Sequence, residues 1–222
     1  MIKKIIHPAI VLLLAASTNA FADDHASSTS DMISNMNNLP PWSLILGAQA
    51  GYGYLSANDY PGAEKEKGGP IGGIFIGLDY NIIPQLSIGL ELGVNYGFKL
   101  LKFSNNVNQS AETKDTYIVP LLATLKYTTP IGINLFVKAG GAYVHQKGTE
   151  NGIDLFGSSQ IANAARVALA GGIGYMWHNW NFFAQYMYTF GDKDAATSSN
   201  ENSTFPVNSI TGGISYTFPL NF

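Results

Sequence analysis

Residues 86–100, LSIGLELGVNYGFKL, constrain this chain more than any other stretch. Leu86, Ile88, Leu90, Leu92, Val94, Tyr96, Phe98 and Leu100 are apolar, while Ser87, Gly89, Glu91, Gly93, Asn95, Gly97 and Lys99 between them are small or polar. A β-strand sends successive side chains to opposite faces, so the pattern describes a strand with one apolar and one wet face. At helical spacing, Glu91, Asn95 and Lys99 would interrupt any apolar stripe. The run is longer than the about 5–6 residues of a usual strand and covers the about 9–11 that cross a bilayer. A soluble sandwich strand with one buried face alternates in the same way. The rest of the chain has to decide between the two.

At the N-terminus, Lys3 and Lys4 precede an apolar run at residues 9–16 (AIVLLLAA), too short to span a bilayer as a helix. Ala20-Phe21-Ala22 then supplies small residues in an A-x-A cleavage pattern, so residues 1–22 read as a cleaved Sec signal peptide. Loss of Lys3 and Lys4 moves the formal charge from −3 to −5. That balance offers no basic surface to nucleic acid. Cysteine is absent, which excludes a disulfide framework and a lipidated N-terminal Cys. Beyond Ala22 no apolar run approaches the roughly 20 residues of a membrane helix. A membrane-embedded fold would therefore be a closed barrel, the other structure that satisfies its own backbone. Residues 23–41, polar and closed by Pro40-Pro41, read as a flexible periplasmic lead-in. Residues 42–222 read as one all-β domain.

From Trp42 onward the alternation recurs until eight strands are counted. Leu44, Leu46, Ala48, Ala50, Tyr52 and Tyr54 share one face, as do Ile74, Ile76, Leu78 and Tyr80, and the last strand carries Ile210, Ile214, Tyr216, Phe218, Leu220 and Phe222. Ile118, Leu122, Phe183 and Met187 blur the polar side of their strands. Tight turns at residues 81–85, 128–132 and 178–179 alternate with long polar links at 55–69, 101–115, 146–161 and 191–206. Short periplasmic turns alternating with long external loops mark an outer-membrane barrel. Trp42, Tyr80, Tyr127, Tyr175 and Trp177 fall near one rim, and Tyr52, Tyr96, Phe98, Tyr117, Tyr143 and Tyr186 near the other. Amphipathic rings favour both membrane–water interfaces.

With these residues in view, the sequence resembles the eight-stranded outer-membrane barrels of the OmpA-like and opacity-protein (porin-like) type. The resemblance covers residues 42–222 and rests on the signal peptide, YIVPLLATLKY at 117–127, KAGGAYV at 138–144 and the ending GISYTFPLNF. It implies an eight-stranded antiparallel up-and-down transmembrane β-barrel in the outer membrane of a Gram-negative bacterium. It also implies that Ile214, Tyr216, Phe218, Leu220 and Phe222 form the terminal signal read by the outer-membrane assembly machinery. Pro219 departs from that pattern, because it removes a ladder donor near the strand end. No peptidoglycan-binding domain follows, so cell-wall anchoring is not carried over.

The wet face carries Asp79, Glu91, Lys99, Lys126, Lys138 and Arg166 among glycines. Eight strands leave an interior just wide enough for side chains to fill. These charges therefore read as an internal salt-bridge network, with Glu91 expected to pair with Lys126; the competing reading is a narrow path for small solutes or ions, slightly favouring anions. His145, with Asp154, Ser158 and Ser159 in the link that follows, contains the parts of a lipid-modifying serine centre, but no local motif orders them. No metal-ligand spacing, phosphate loop or other cofactor motif occurs. The links carry the balanced run Glu64-Lys65-Glu66-Lys67 and clusters of Asn. Function on a rigid scaffold generally lives in such loops. The expectation is a monomeric, non-enzymatic surface or structural protein, embedded in outer-membrane lipid, with external loops available for adhesion or contact with a host or surface ligand.

Overall fold

The computed structural model describes residues 41–57, 64–104, 110–151, 161–192 and 203–220. The expected signal peptide, the lead-in through residue 40, the Asp154, Ser158 and Ser159 group and Phe222 lie outside them. Nine strands form: β1 (Trp42–Leu55), β2 (Glu64–Lys67), β3 (Gly69–Ile83), β4 (Leu86–Ser104), β5 (Ser110–Thr128), β6 (Ile133–Asn151), β7 (Ile161–Trp177), β8 (Trp180–Thr189) and β9 (Val207–Leu220). Omitting β2, each strand pairs antiparallel with the next around the ring. β1 then meets β9, from Trp42↔Leu220 to Leu55↔Val207, and the sheet closes on itself with eight strands. Closure removes the unpaired edges that an open sheet would present.

The alternation decides which face meets what. Ile74 is 67% exposed, and Leu90 and Val137 are each 59% exposed, in the middle of well-paired strands. A soluble sandwich would bury such side chains; here they form the band that meets lipid. Trp42, Tyr80, Tyr127, Tyr175, Trp177 and Trp180 border it at one end, and Tyr52, Tyr96, Tyr117, Tyr143 and Tyr186 at the other. At the first end the connections shrink to Pro84-Gln85 between β3 and β4 and His178-Asn179 between β7 and β8. His178 (φ +56°) and Gly132 (φ +86°) adopt the left-handed backbone those turns need.

Three local features depart from the sequence reading. β4, β5 and β6 each run 19 residues, so much of the expected links at 101–115 and 146–161 is strand that rises past the external girdle. Glu64–Lys67, expected in a solvated link, is a short strand laid against Leu101–Ser104 of β4. Alternating charge on a short edge strand is one way an edge is kept from pairing further. Finally, the register of β4 against β5 shifts between Phe98 and Leu101. The extra residue turns Lys99 (φ +53°) away from the lumen and swings Leu100 inward, reversing the faces expected for both.

Candidate functional site

The lumen is the first place to look for chemistry, and its side chains are arranged in layers. Nearest the short turns lies an ionic layer. Lys126 on β5 donates to Asp79 Oδ2 on β3 at 2.6 Å, and Lys138 on β6 donates to both carboxylate oxygens of Glu91 on β4 at 2.7 Å. The expected Glu91–Lys126 pair is therefore not the one formed. Lys126 stands opposite Ser87, below Glu91, and reaches past Gly89, where a Cβ would run into the Asp79 carboxylate. Strand stagger, rather than adjacency, chooses the partner.

Three rings enclose the Lys138 ammonium, with centroids at 5.0 Å (Phe136), 5.3 Å (Phe75) and 6.0 Å (Phe183). Such distances permit cation–π attraction in addition to the ion pair. Each ring lies over a glycine of another strand: Phe75 over Gly47, Phe136 over Gly172 and Phe183 over Gly213. Any Cβ at those glycines would strike a ring. The cavity left beside the two ion pairs is ≈ 40 Å³, enough for a few waters.

Above the ions, a layer of amides crosses the barrel. Gln49 donates to Asn95 Oδ1 at 2.7 Å, while Gln185 Nε2 (2.6 Å) and Thr211 Oγ1 (3.2 Å) donate to Gln49 Oε1. The external third mixes fully buried apolar side chains, Leu55, Leu100, Leu101, Ile118, Val144 and Phe205, with fully buried polar ones, Thr113, Thr116, Gln146 and Thr189. Phe205 belongs to the chain entering β9. Gln146 holds its backbone on both sides, donating to Phe205 O at 3.1 Å and accepting from Phe205 N at 2.9 Å. Beside it, Arg166 Nε donates to Thr204 Oγ1 at 3.0 Å, Ser203 Oγ donates to Asp192 at 3.0 Å, and Ser56 N donates to Pro206 O at 2.9 Å. Residues 203–206 are thus clamped from several strands and seat Phe205 as a stopper.

Of the six charges expected inside, the structure gathers Asp79, Glu91, Lys126 and Lys138 into the ionic layer and places Arg166 against the stopper segment. Lys99 stands outside instead, 3.5 Å from Glu112. What the sequence reading missed is the apolar filling. The signal lay in Ile118, Leu122 and Phe183, read there only as blurring the wet face, and in Phe75 and Phe136, which share that inward parity. His145 lies at the external girdle, 2.5 Å from Asn163 Oδ1 and beside the Tyr117 ring. Tyr143 also donates to Asn163, at 3.3 Å. Among the described residues no group of three His, Asp or Glu side chains could hold a metal ion.

The terminal strand places Ile214 and Phe218 on the lipid side, with Tyr216 packed edge-on to Trp180 at 4.8 Å. Leu220 pairs with Trp42 at the seam.

Against known proteins, the profile of the OmpA-like transmembrane domain matches residues 42–220. No curated protein matches the chain. Among solved structures, Ail, the attachment invasion locus protein of Yersinia pestis, is 15% identical, with 81% of this chain and 100% of that one covered and a TM-score of 0.52. The Neisserial surface protein A is 14% identical over 81% of this chain and 98% of that one, with a TM-score of 0.43. The N-terminal β-barrel domain of OprF from Pseudomonas aeruginosa is 15% identical over 82% and 100%, with a TM-score of 0.41. At 15% identity, the likeness to Ail speaks for a shared fold.

Proposed function

The chain belongs to the family of OmpA-like transmembrane domains, and from that premise we propose that it is a non-enzymatic outer-membrane surface barrel with a sealed lumen, whose external loops make its contacts. The stopper carries this reading. Phe205 and the fully buried apolar side chains around it close the external third, and two satisfied ion pairs occupy the layer beneath. A solute path would have to displace both. With the lumen filled, the external ends of the strands and the links joining them are the parts left to recognise anything.

Reconstitution in planar bilayers tests the seal. The wild-type barrel should show no unit conductance, and a leak should need the loss of both barriers, as in Phe205→Gly and Gln146→Ala combined with Glu91→Ala and Lys138→Ala. Steady conductance by the wild type would replace this reading with that of a small-solute channel. Whole-cell binding to host cells or surface ligands, compared between wild type and variants lacking residues 105–109 or 152–160, tests the loops. Loss of binding without loss of folded barrel is the expected result. Lipid A mass spectra from a deletion strain should match the parent, since His145 is held by Asn163 at the girdle.

Export and assembly complete the proposal. Residues 1–22 direct secretion, residues 23–41 lead into the barrel, and the C-terminal segment Ile214, Tyr216, Phe218, Leu220 and Phe222 is what assembly machinery recognises. The alternating apolar residues of that strand support this role. The working form is a monomer, as ring closure pairs β1 with β9 and leaves no free edge between the first and last strands of the barrel.

A further inference from the structure

At the rim of short turns, β9 runs past its neighbour β8. It pairs with β1 as far as Trp42↔Leu220, but with β8 only as far as Trp180↔Tyr216. One further bond, from Thr217 N to Asn179 O at 2.8 Å, closes the ladder with β8. The neighbouring chain then turns through His178-Asn179 into β7. Among the described residues, Phe218, Pro219 and Leu220 therefore overhang with β1 alone beside them. The hairpins of the same rim are paired into their turns, at Ile83↔Leu86, Thr128↔Asn134 and Trp177↔Trp180. The overhang also has an apolar side: Tyr216 lies 4.6 Å from the Phe218 ring and 4.8 Å from the Trp180 ring, and Phe218 is exposed. A strand edge dressed with apolar side chains is a template for another strand.

Parity decides what that edge can offer. In an antiparallel ladder the N–H and C=O of one residue point to the same neighbour, and successive residues alternate between the two neighbours. Ser56 N donates to Pro206 O at 2.9 Å, so the even residues of β9 face β1. The register of β1 with β9 runs from Leu55↔Val207 to Trp42↔Leu220 without a shift, so this parity holds to the end of the strand. The bond from Thr217 N to Asn179 O confirms that odd residues face β8. Pro219 is odd. Its missing N–H therefore takes nothing from the ladder with β1, contrary to the loss expected from the sequence. It falls on the overhanging edge, where Pro219 is exposed. Of residues 218–220, Pro219 alone turns its backbone to that edge, which thus presents a carbonyl and no donor. Proline suits an edge strand when its absent N–H would face outward.

We propose that Pro219 is an edge guard, which keeps an extended segment of a second, still unfolded copy of this chain from adding to the β9 overhang as a further strand. An unfolded copy fits the edge because its alternating stretches, such as residues 86–96, bring both the backbone groups and the apolar face that β8 supplies deeper in the sheet. An added strand could exchange two bonds with an ordinary residue at position 219, but can only donate one to Pro219. The loss of one net backbone bond corresponds to roughly a five-fold weaker association. The guard acts beside the closed seam. It is independent of the sealed lumen, of the loops and of how the terminal segment is recognised during assembly.

The test uses the full barrel refolded in lipid nanodiscs, with empty nanodiscs as the blank. The probe is a fluorescent synthetic peptide of residues 86–96, standing in for the unfolded copy, and its capture by immobilised barrels is measured. Pro219→Thr and Pro219→Ala both restore the N–H, and each should bind the peptide roughly five-fold more tightly than the wild type. The same peptide carrying N-methyl groups along both edges should bind wild type and variants alike. Urea unfolding in vesicles should give Pro219→Ala the midpoint of the wild type, because no bond to β1 is regained. Equal capture of the unmodified peptide by wild type and variants overturns the proposal. A gain that persists with the N-methylated peptide also overturns it, since the restored donor would then not be the cause. A higher urea midpoint for Pro219→Ala would place the N–H on the β1 side and overturn the edge assignment. If one variant fails to fold, the other carries the same comparison.

Discussion

Lys138 shows how much one buried charge depends on its surroundings. Its ammonium is held by Glu91 and enclosed by three phenyl rings, so removing the base would leave the carboxylate uncompensated. Lys138→Met should destabilise the barrel by roughly 3–5 kcal/mol, read from urea unfolding in lipid vesicles. Adding Glu91→Gln should recover part of that loss, whereas Glu91→Gln and Lys126→Met should combine almost additively, because their charges belong to different pairs. Strong coupling in the second cycle, or none in the first, would contradict the observed pairing. Inward and outward glycines give a second residue-scale contrast. A side chain at Gly172 would strike the Phe136 ring, while a Cβ at Gly212 has its nearest neighbour at 3.8 Å. Gly172→Leu should therefore cost about 1–3 kcal/mol or more as overpacking, and Gly212→Ala far less; equal costs would remove the ring-over-glycine account. The sequence showed where glycines alternate with apolar residues, but not which neighbour fills each space.

At the scale of one strand, β4 carries the clearest face assignment. Leu92 is 46% exposed on the lipid side. Leu92→Arg should cost roughly 2–4 kcal/mol near the bilayer midplane, measured as the folded fraction recovered in vesicles across a denaturant series. A variant that folded as well as wild type would place Leu92 elsewhere than in lipid. The same strand also marks where periodicity stops being a guide. Period-two alternation holds from Ser87 to Phe98 because backbone chirality and pleat set each side chain's face locally. The bulge then inserts one residue and inverts the parity. Lys99 and Leu100 were legible as a polar and an apolar residue, but their faces were decided by how β4 meets β5.

For the whole molecule, closure is the decisive event, since β1 and β9 pair across nearly the entire domain. Until they meet, β9 is an exposed edge liable to aggregate. Deleting Phe222 should lower the fraction of folded barrel in cells, while barrels that do close keep nearly wild-type stability. A gel comparing boiled and unboiled samples counts the two forms. An unchanged folded fraction at low and high expression would refute the role of the terminus in assembly. The sequence by itself determined the eight strands of the ring, the lipid-facing side of most of them, the short turns and the girdles, because each follows from local periodicity and turn chemistry. It also placed six charges on the inward face, of which Lys99 stands outside. The tertiary structure alone decided that Asp79 takes Lys126 and Glu91 takes Lys138, that Phe205 enters the lumen in Gln146's grip, and that Lys99 leaves it. Those outcomes join residues far apart in the chain, such as Gln49 and Thr211, which are 162 positions apart. They depend on stagger, bulges and ring closure, and no local pattern encodes the sum of these.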